Sequence, residues 1–209
     1  MTATARAGDT ARAGDTALGR AIRRGAAGAG HRLRCGMCAC AVGDRHRHAL
    51  DRRQGGVTCL CRACALLFER DQASRGLYRL IPQRRLRLGR PGPSALGVPV
   101  GLAYFVRHPA GEIVAHYPSP LGSATFAVDA EVWQSRVTAC PPLAGLAPEV
   151  EALLVNTVRG QEEHWIVPID DCFRLTALIG REWTGMSGGS RLWPQIEAFF
   201  ATLKEGTHG

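Results

Sequence analysis

Lysine is almost missing from this sequence. Lys204 stands alone against 25 arginines. Arginine without lysine reflects the codon bias of a GC-rich genome as readily as selection for phosphate, so basic charge by itself does not assign nucleic-acid binding. No apolar run approaches the roughly 18 residues a membrane span requires. The arginine-bearing N-terminus has no apolar h-region, which removes the expectation of a secretory signal and, with it, of disulfides; a cytoplasmic protein is expected. There is no Ser-His-Asp signature, no dinucleotide fingerprint, no phosphate-loop lysine and no carboxylate pair at a telling spacing. The common hydrolytic and nucleotide-dependent chemistries therefore have no foothold in the sequence.

What is present is a soluble composition, 45% hydrophobic and 21% charged over 209 residues. That is enough chain for one or two domains. The charge of +8 is unevenly placed. Residues 1–93 hold 19 Arg and 6 acids, a charge of +13, and residues 94–209 hold 7 bases and 12 acids, a charge of −5. An anionic partner for the front half is one implication.

The chain divides into four parts. Residues 1–30 repeat Ala5-Arg6-Ala7-Gly8-Asp9-Thr10 as Ala11-Arg12-Ala13-Gly14-Asp15-Thr16 and hold almost no large apolar side chain, as expected of a disordered low-complexity tail. Residues 31–74 form a cysteine-rich module. Strands are expected over His46–Arg52 and Val57–Cys61 with Gly55-Gly56 at the turn, and a helix after Cys61-Arg62-Ala63-Cys64. Knuckle, hairpin, knuckle and helix describe a treble-clef or zinc-ribbon-like finger. Residues 75–97 read as a solvated connector rich in Arg and Pro, a phosphate-binding strip being the alternative, and Pro91-Gly92-Pro93 breaks any regular element there.

Residues 98–206 read as an α+β domain of ββα-ββα-α order, with an antiparallel sheet and helices packed on it. One hairpin turns at Pro109-Ala110-Gly111 and a second near Gly160. Asp129 and Asp170 are the expected caps of the helices that follow. Ser190 is the expected cap of a final helix with Ile196, Phe199, Phe200 and Leu203 at spacings of three and four.

Six of the eight cysteines lie between Cys35 and Cys64. Cys35-x2-Cys38 and Cys61-x2-Cys64, separated by a gap of 22 residues, each wrap two sulfurs toward one ion, and together they complete a tetrahedron. Zn2+ is the expected metal, with rubredoxin-like iron as the alternative. Four thiolates close the site to water. A Zn(Cys)4 centre is anionic, and Arg34 and Arg62 stand beside the knuckles to offset it. Cys40 and Cys59 are either spare thiols or, with His46 and His48, a second set of ligands. His46-Arg47-His48 followed by Gly55-Gly56 is also similar to HNH nucleases, but no Asn lies between Gly56 and Cys61 and no basic helix follows Cys64. Cys172 and His164 read as core and hairpin residues. Ser187-Gly188-Gly189-Ser190 could cradle an anion on backbone N–H groups, or be an ordinary loop.

Several segments together, Cys35-x2-Cys38, His46-Arg47-His48, Cys59-x-Cys61-Arg62-x-Cys64, Tyr117-Pro118-Ser119-Pro120, Val167-Pro168-Ile169-Asp170-x-Cys172 and Trp183-x-Gly185-x-Ser187-Gly188-Gly189, carry a resemblance. Over roughly residues 33–205 the chain resembles an actinobacterial-type domain of unknown function found beside [NiFe]-hydrogenase genes. Cys40 departs from that pattern. The resemblance implies an accessory to hydrogenase assembly or electron transfer, whose partner is a hydrogenase subunit or maturation factor. Tyr117, Ser187, Gly188 and Gly189 are the candidate partner-binding residues. A zinc-finger nucleic-acid binder and an HNH-like nuclease are the competing readings.

Overall fold

The computed structural model describes residues 33–69, 73–89, 101–185 and 188–205. The expected tail at 1–30, the Pro91-Gly92-Pro93 break and Ser187 lie outside the described residues. Two antiparallel sheets and four helices form the described fold. The smaller sheet contains β1 (Arg47–Asp51), β2 (Gly56–Leu60) and β3 (Tyr78–Leu80) in the order β2-β1-β3. Gly55 makes the β1–β2 turn at φ 61°, where a Cβ would be strained. The short helix α1 (Arg62–Leu67) follows β2 directly.

The larger sheet contains β4 (Leu86–Arg87), β5 (Leu102–Arg107), β6 (Ile113–Ser119), β7 (Gly122–Val128), β8 (Glu151–Asn156) and β9 (Glu163–Pro168). Its order is β4-β9-β8-β5-β6-β7. The two expected hairpins are β5–β6 and β8–β9, and they join where β5 pairs with β8. Helices α2 (Ala130–Ala139), α3 (Ile169–Glu182) and α4 (Gly189–Glu205) complete it.

Strand alternation assigns the two faces of this sheet. Leu102, Tyr104, Val106, Leu154, Trp165 and Val167 point to one side and meet Cys172, Leu175 and Ile179 of α3 and Ile196, Phe200 and Leu203 of α4. Ala103, Phe105, Leu153, Val155 and Ile166 point to the other and meet Trp133 of α2 with Leu143 and Leu146 beyond it. The small sheet has its own core of Cys35, Ala49, Leu60, Cys64 and Ala65, and it lends Leu50 and Ile81 to the core under α3 and α4.

Several local expectations are revised. The first repeat holds a third strand, β7, between the hairpin and α2, so its order is βββα. Asp129 caps α2 as expected, accepting from the N–H of Glu131 and Val132. Asp170 does not cap: Pro168 occupies that position of α3 without a side-chain bond, and the Asp170 carboxylate turns elsewhere. Ser190 lies inside the first turn of α4, not ahead of it. Within the stretch expected to be a solvated connector, β3 completes the small sheet and β4 joins the large one.

Several described arginines of that stretch are engaged within the fold. Arg79 reaches Glu149, Arg84 forks onto Glu151 and Arg85 forks onto Asp171. The Arg87 guanidinium lies over the Trp165 ring at 5.8 Å from its centroid.

Candidate metal centre

The first knuckle is built on the edge of the small hairpin. The Gly36 N–H donates to the Cys59 carbonyl at 2.8 Å, and a Cβ on Gly36 would stand 2.8 Å from Thr58 Oγ1, so the close approach requires glycine. The Ala39 N–H donates to the Cys35 carbonyl and the Cys35 N–H to the Cys40 carbonyl, which closes the loop around the sulfurs. The Arg34 guanidinium donates to the Ala39 carbonyl at 2.9 Å and so braces this loop. The second knuckle is the start of α1. Cys61 is its N-cap, and its Sγ accepts from the Cys64 N–H at 3.4 Å.

These two turns bring Cys35, Cys38, Cys61 and Cys64 together, with all four Sγ atoms within 4.8 Å of one another. Sulfurs about 2.3 Å from a tetrahedral ion stand about 3.8 Å apart. Cys38 Sγ and Cys61 Sγ are 3.7 Å apart, so the residues present fit a four-thiolate metal ion.

Hydrogen bonding within the cluster shifts its thiols in opposite directions. Burial raises the Cys35 thiol, but the backbone N–H groups of Cys61, Cys38 and Met37 outweigh it and bring it down to about 6. The Cys64 N–H lowers Cys61. Cys64 is instead driven up by hydrogen bonding to Cys38 and Cys61. Cys40 adjoins this cluster, pushed up to about 12 by Cys38 and Cys61, and it is absent from the group that His46 and His48 form, which the four-residue alternative required it to join.

A second cluster does form, of His46, His48 and Cys59, again with its ligand atoms within 4.8 Å of one another. It follows from strand geometry. His46 and His48 are two residues apart, so they share a face, and His48 is the direct cross-strand neighbour of Cys59. The His46 and His48 Nε2 atoms are 2.9 Å apart. Their other ring nitrogens are engaged, His46 Nδ1 with the Gly43 carbonyl at 2.8 Å and His48 Nδ1 with Asp170 Oδ2 at 2.6 Å. Asp170, followed by Cys59, holds the His48 imidazole up to about 9. Sequence reading missed Asp170 here, because nothing local links residues 122 positions apart.

The remaining candidates fall in different places. Tyr117 lies on β6 and meets Phe126 of β7 edge to face, with ring centroids 5.6 Å apart. Gly188 and Gly189 have φ of 91° and 75° and leave no room for a Cβ against Leu192 and Thr184 respectively, so they close the turn between α3 and α4 from within. Cys172 is fully buried, and burial, then Asp171 and Asp170, pushes its thiol well up, as fits a core residue. No helix among the described residues is long and apolar enough to cross a membrane.

Residues 34–207 match the model of a family described as "Family of unknown function (DUF5947)", and the chain belongs to that family. No curated protein and no solved structure matches it.

Proposed function

We propose that this chain is a zinc protein with a treble-clef-like finger, and that it works by binding another protein and not by turning over a substrate. The four-thiolate centre supports the first part: a borderline-soft d10 ion suits tetrahedral sulfur, and four protein ligands leave no coordination position for water. The observation that carries the second part is the β7 edge of the large sheet. Among the described residues β7 pairs with β6 alone, and it leaves Phe126 61% exposed, while Leu121 in the turn that leads into it is fully exposed. A strand with one unpaired edge and an exposed large apolar side chain is a template for strand addition or for a docked apolar face.

The partner in this reading is a [NiFe]-hydrogenase subunit or maturation factor, the company that the sequence resemblance implies. The test is co-purification of a tagged full chain with hydrogenase components from a host that makes them. The wild type should retain such a component. Phe126→Asp and Tyr117→Ala should cut its recovery about tenfold, the loss typical of an aromatic anchor, while the melting temperature stays within a few degrees. Recovery unchanged by both substitutions would remove β7 as the docking edge.

A further inference from the structure

We propose that His46, His48 and Cys59 form a second metal site, distinct from the four-thiolate centre, that takes a borderline divalent cation such as zinc or cobalt and leaves one coordination position open. A carbonyl oxygen only accepts, so His46 Nδ1 must carry the hydrogen that it shares with Gly43. The Asp170 carboxylate likewise accepts from His48 Nδ1. When His48 Nε2 also carries a proton it donates to the bare His46 Nε2 at 2.9 Å; when that proton leaves, both Nε2 atoms are lone pairs facing each other, with Cys59 Sγ as the third donor. Two lone pairs do not approach this closely without something positive between or beside them. A shared proton answers that demand, and so does a metal ion.

The surroundings favour the metal. A ligating histidine usually donates its second ring N–H to a carboxylate or backbone carbonyl, which fixes the tautomer and the ring plane. Here one histidine has each kind of partner. The rings stand nearly perpendicular, at 85°, so the two Nε2 atoms approach a common point from different directions. Tetrahedral nitrogens about 2.05 Å from zinc stand roughly 3.3 Å apart, so a widening of about 0.4 Å seats the ion. Cys59 is held opposite His48 by the β1–β2 register.

Two imidazoles and one thiolate suit zinc, cobalt, nickel or copper over magnesium or calcium. Three protein ligands are the number found where a metal also takes water or an incoming ligand, in contrast to the closed centre next door. All three residues are partly exposed, so the fourth position is reachable. Asp170 stands at the start of α3, and its contact with His48 ties this site to the large sheet.

The experiment is metal stoichiometry on the full chain. Elemental analysis after equilibration with zinc should give about two ions per chain. His46→Ala and Cys59→Ser should each give about one, with the melting temperature held within a few degrees. Cobalt(II) added to zinc-loaded protein under conditions where one ion exchanges should produce a thiolate-to-cobalt charge-transfer band that Cys59→Ser abolishes. Asp170→Asn should weaken the second ion about 10- to 100-fold and leave the first in place. Saturation of the wild type at one ion with both metals, or retention of two by both His46→Ala and Cys59→Ser, overturns the proposal. If a variant fails to fold, the wild-type stoichiometry and the cobalt band decide it.

Discussion

Replacing Cys35 or Cys64 by serine should unfold the small sheet and leave the large one folded. The core of the small sheet is Cys35, Ala49, Leu60, Cys64 and Ala65, and two of those five are ligands. Even with Val42, Phe68, Tyr78 and Leu80 partly buried against it, so small a core cannot offset the entropy of ordering the hairpin and knuckles, so in the proposed zinc reading the binding energy of the metal, on the order of 10–16 kcal/mol, would be the folding energy of this part. The large sheet has two extensive cores of its own, one on each face. It would lose the contacts of Leu50 and Ile81 and the anchor that His48 gives Asp170. Each buried aliphatic side chain is worth about 2–5 kcal/mol, so the large sheet should melt on the order of 15 °C or more lower but still cooperatively. Amide exchange is the measurement. β1 and β2 should lose protection in Cys64→Ser while β5 and β8 keep it. Simultaneous opening of all four strands would show that the shared residues Leu50 and Ile81 bind the two sheets into a single unit.

The second large effect is expected at Arg85. Asp171 is completely buried, and the Arg85 guanidinium forks onto its carboxylate through Nε at 2.6 Å and Nη2 at 3.0 Å. Arg174 is the other cation near, at 3.2 Å, but it is largely exposed and follows Asp171 by one turn. Arg85→Ala would strand a carboxylate in the core at the start of α3, and breaking one side of such a pair costs about 3–5 kcal/mol. Arg85→Lys should recover only part of that, since an ammonium cannot make the two parallel bonds. The double change Arg85→Ala with Asp171→Ala should be less destabilised than Arg85→Ala alone, because the penalty is the orphaned charge and not the lost attraction. Urea unfolding of the three variants checks the order. A single Arg85→Ala within 1 kcal/mol of the wild type would mean that water or Arg174 already serves Asp171.

Both predictions rest on residues that sequence reading treated unequally. The cysteine pairs were legible because a knuckle is local: two residues between sulfurs force one turn. The hairpin turns at Gly55, Gly111 and Gly160 were legible for the same reason, each needing a positive φ that only nearby atoms decide. The faces of the large sheet followed from period-two alternation, as in Leu102, Tyr104 and Val106 against Ala103 and Phe105. Strand β7 was not legible. Gly122-Ser123-Ala124-Thr125-Phe126-Ala127-Val128 has small and polar residues and is mostly exposed, so its strand character comes from pairing with β6 rather than from its own pattern.

The same division runs through the candidate sites. Composition and spacing by themselves determined that the chain has a four-thiolate centre to offer and a large α+β body to support it. They also placed His46 and His48 on one face, two residues apart. Only the tertiary structure decided that Cys59 and not Cys40 faces those histidines, because Cys59 is held opposite His48 by strand register while Cys40 sits in the loop around the other cluster. Only the tertiary structure could join Asp170 to His48 and Arg85 to Asp171, across 122 and 86 positions. In sequence, an aspartate near a helix start is a cap and an arginine run is a solvated strip, since local rules weigh a charge against its neighbours in the chain. Folding brings distant charges within hydrogen-bond reach where water is excluded, and there the pairing energy outweighs those local preferences.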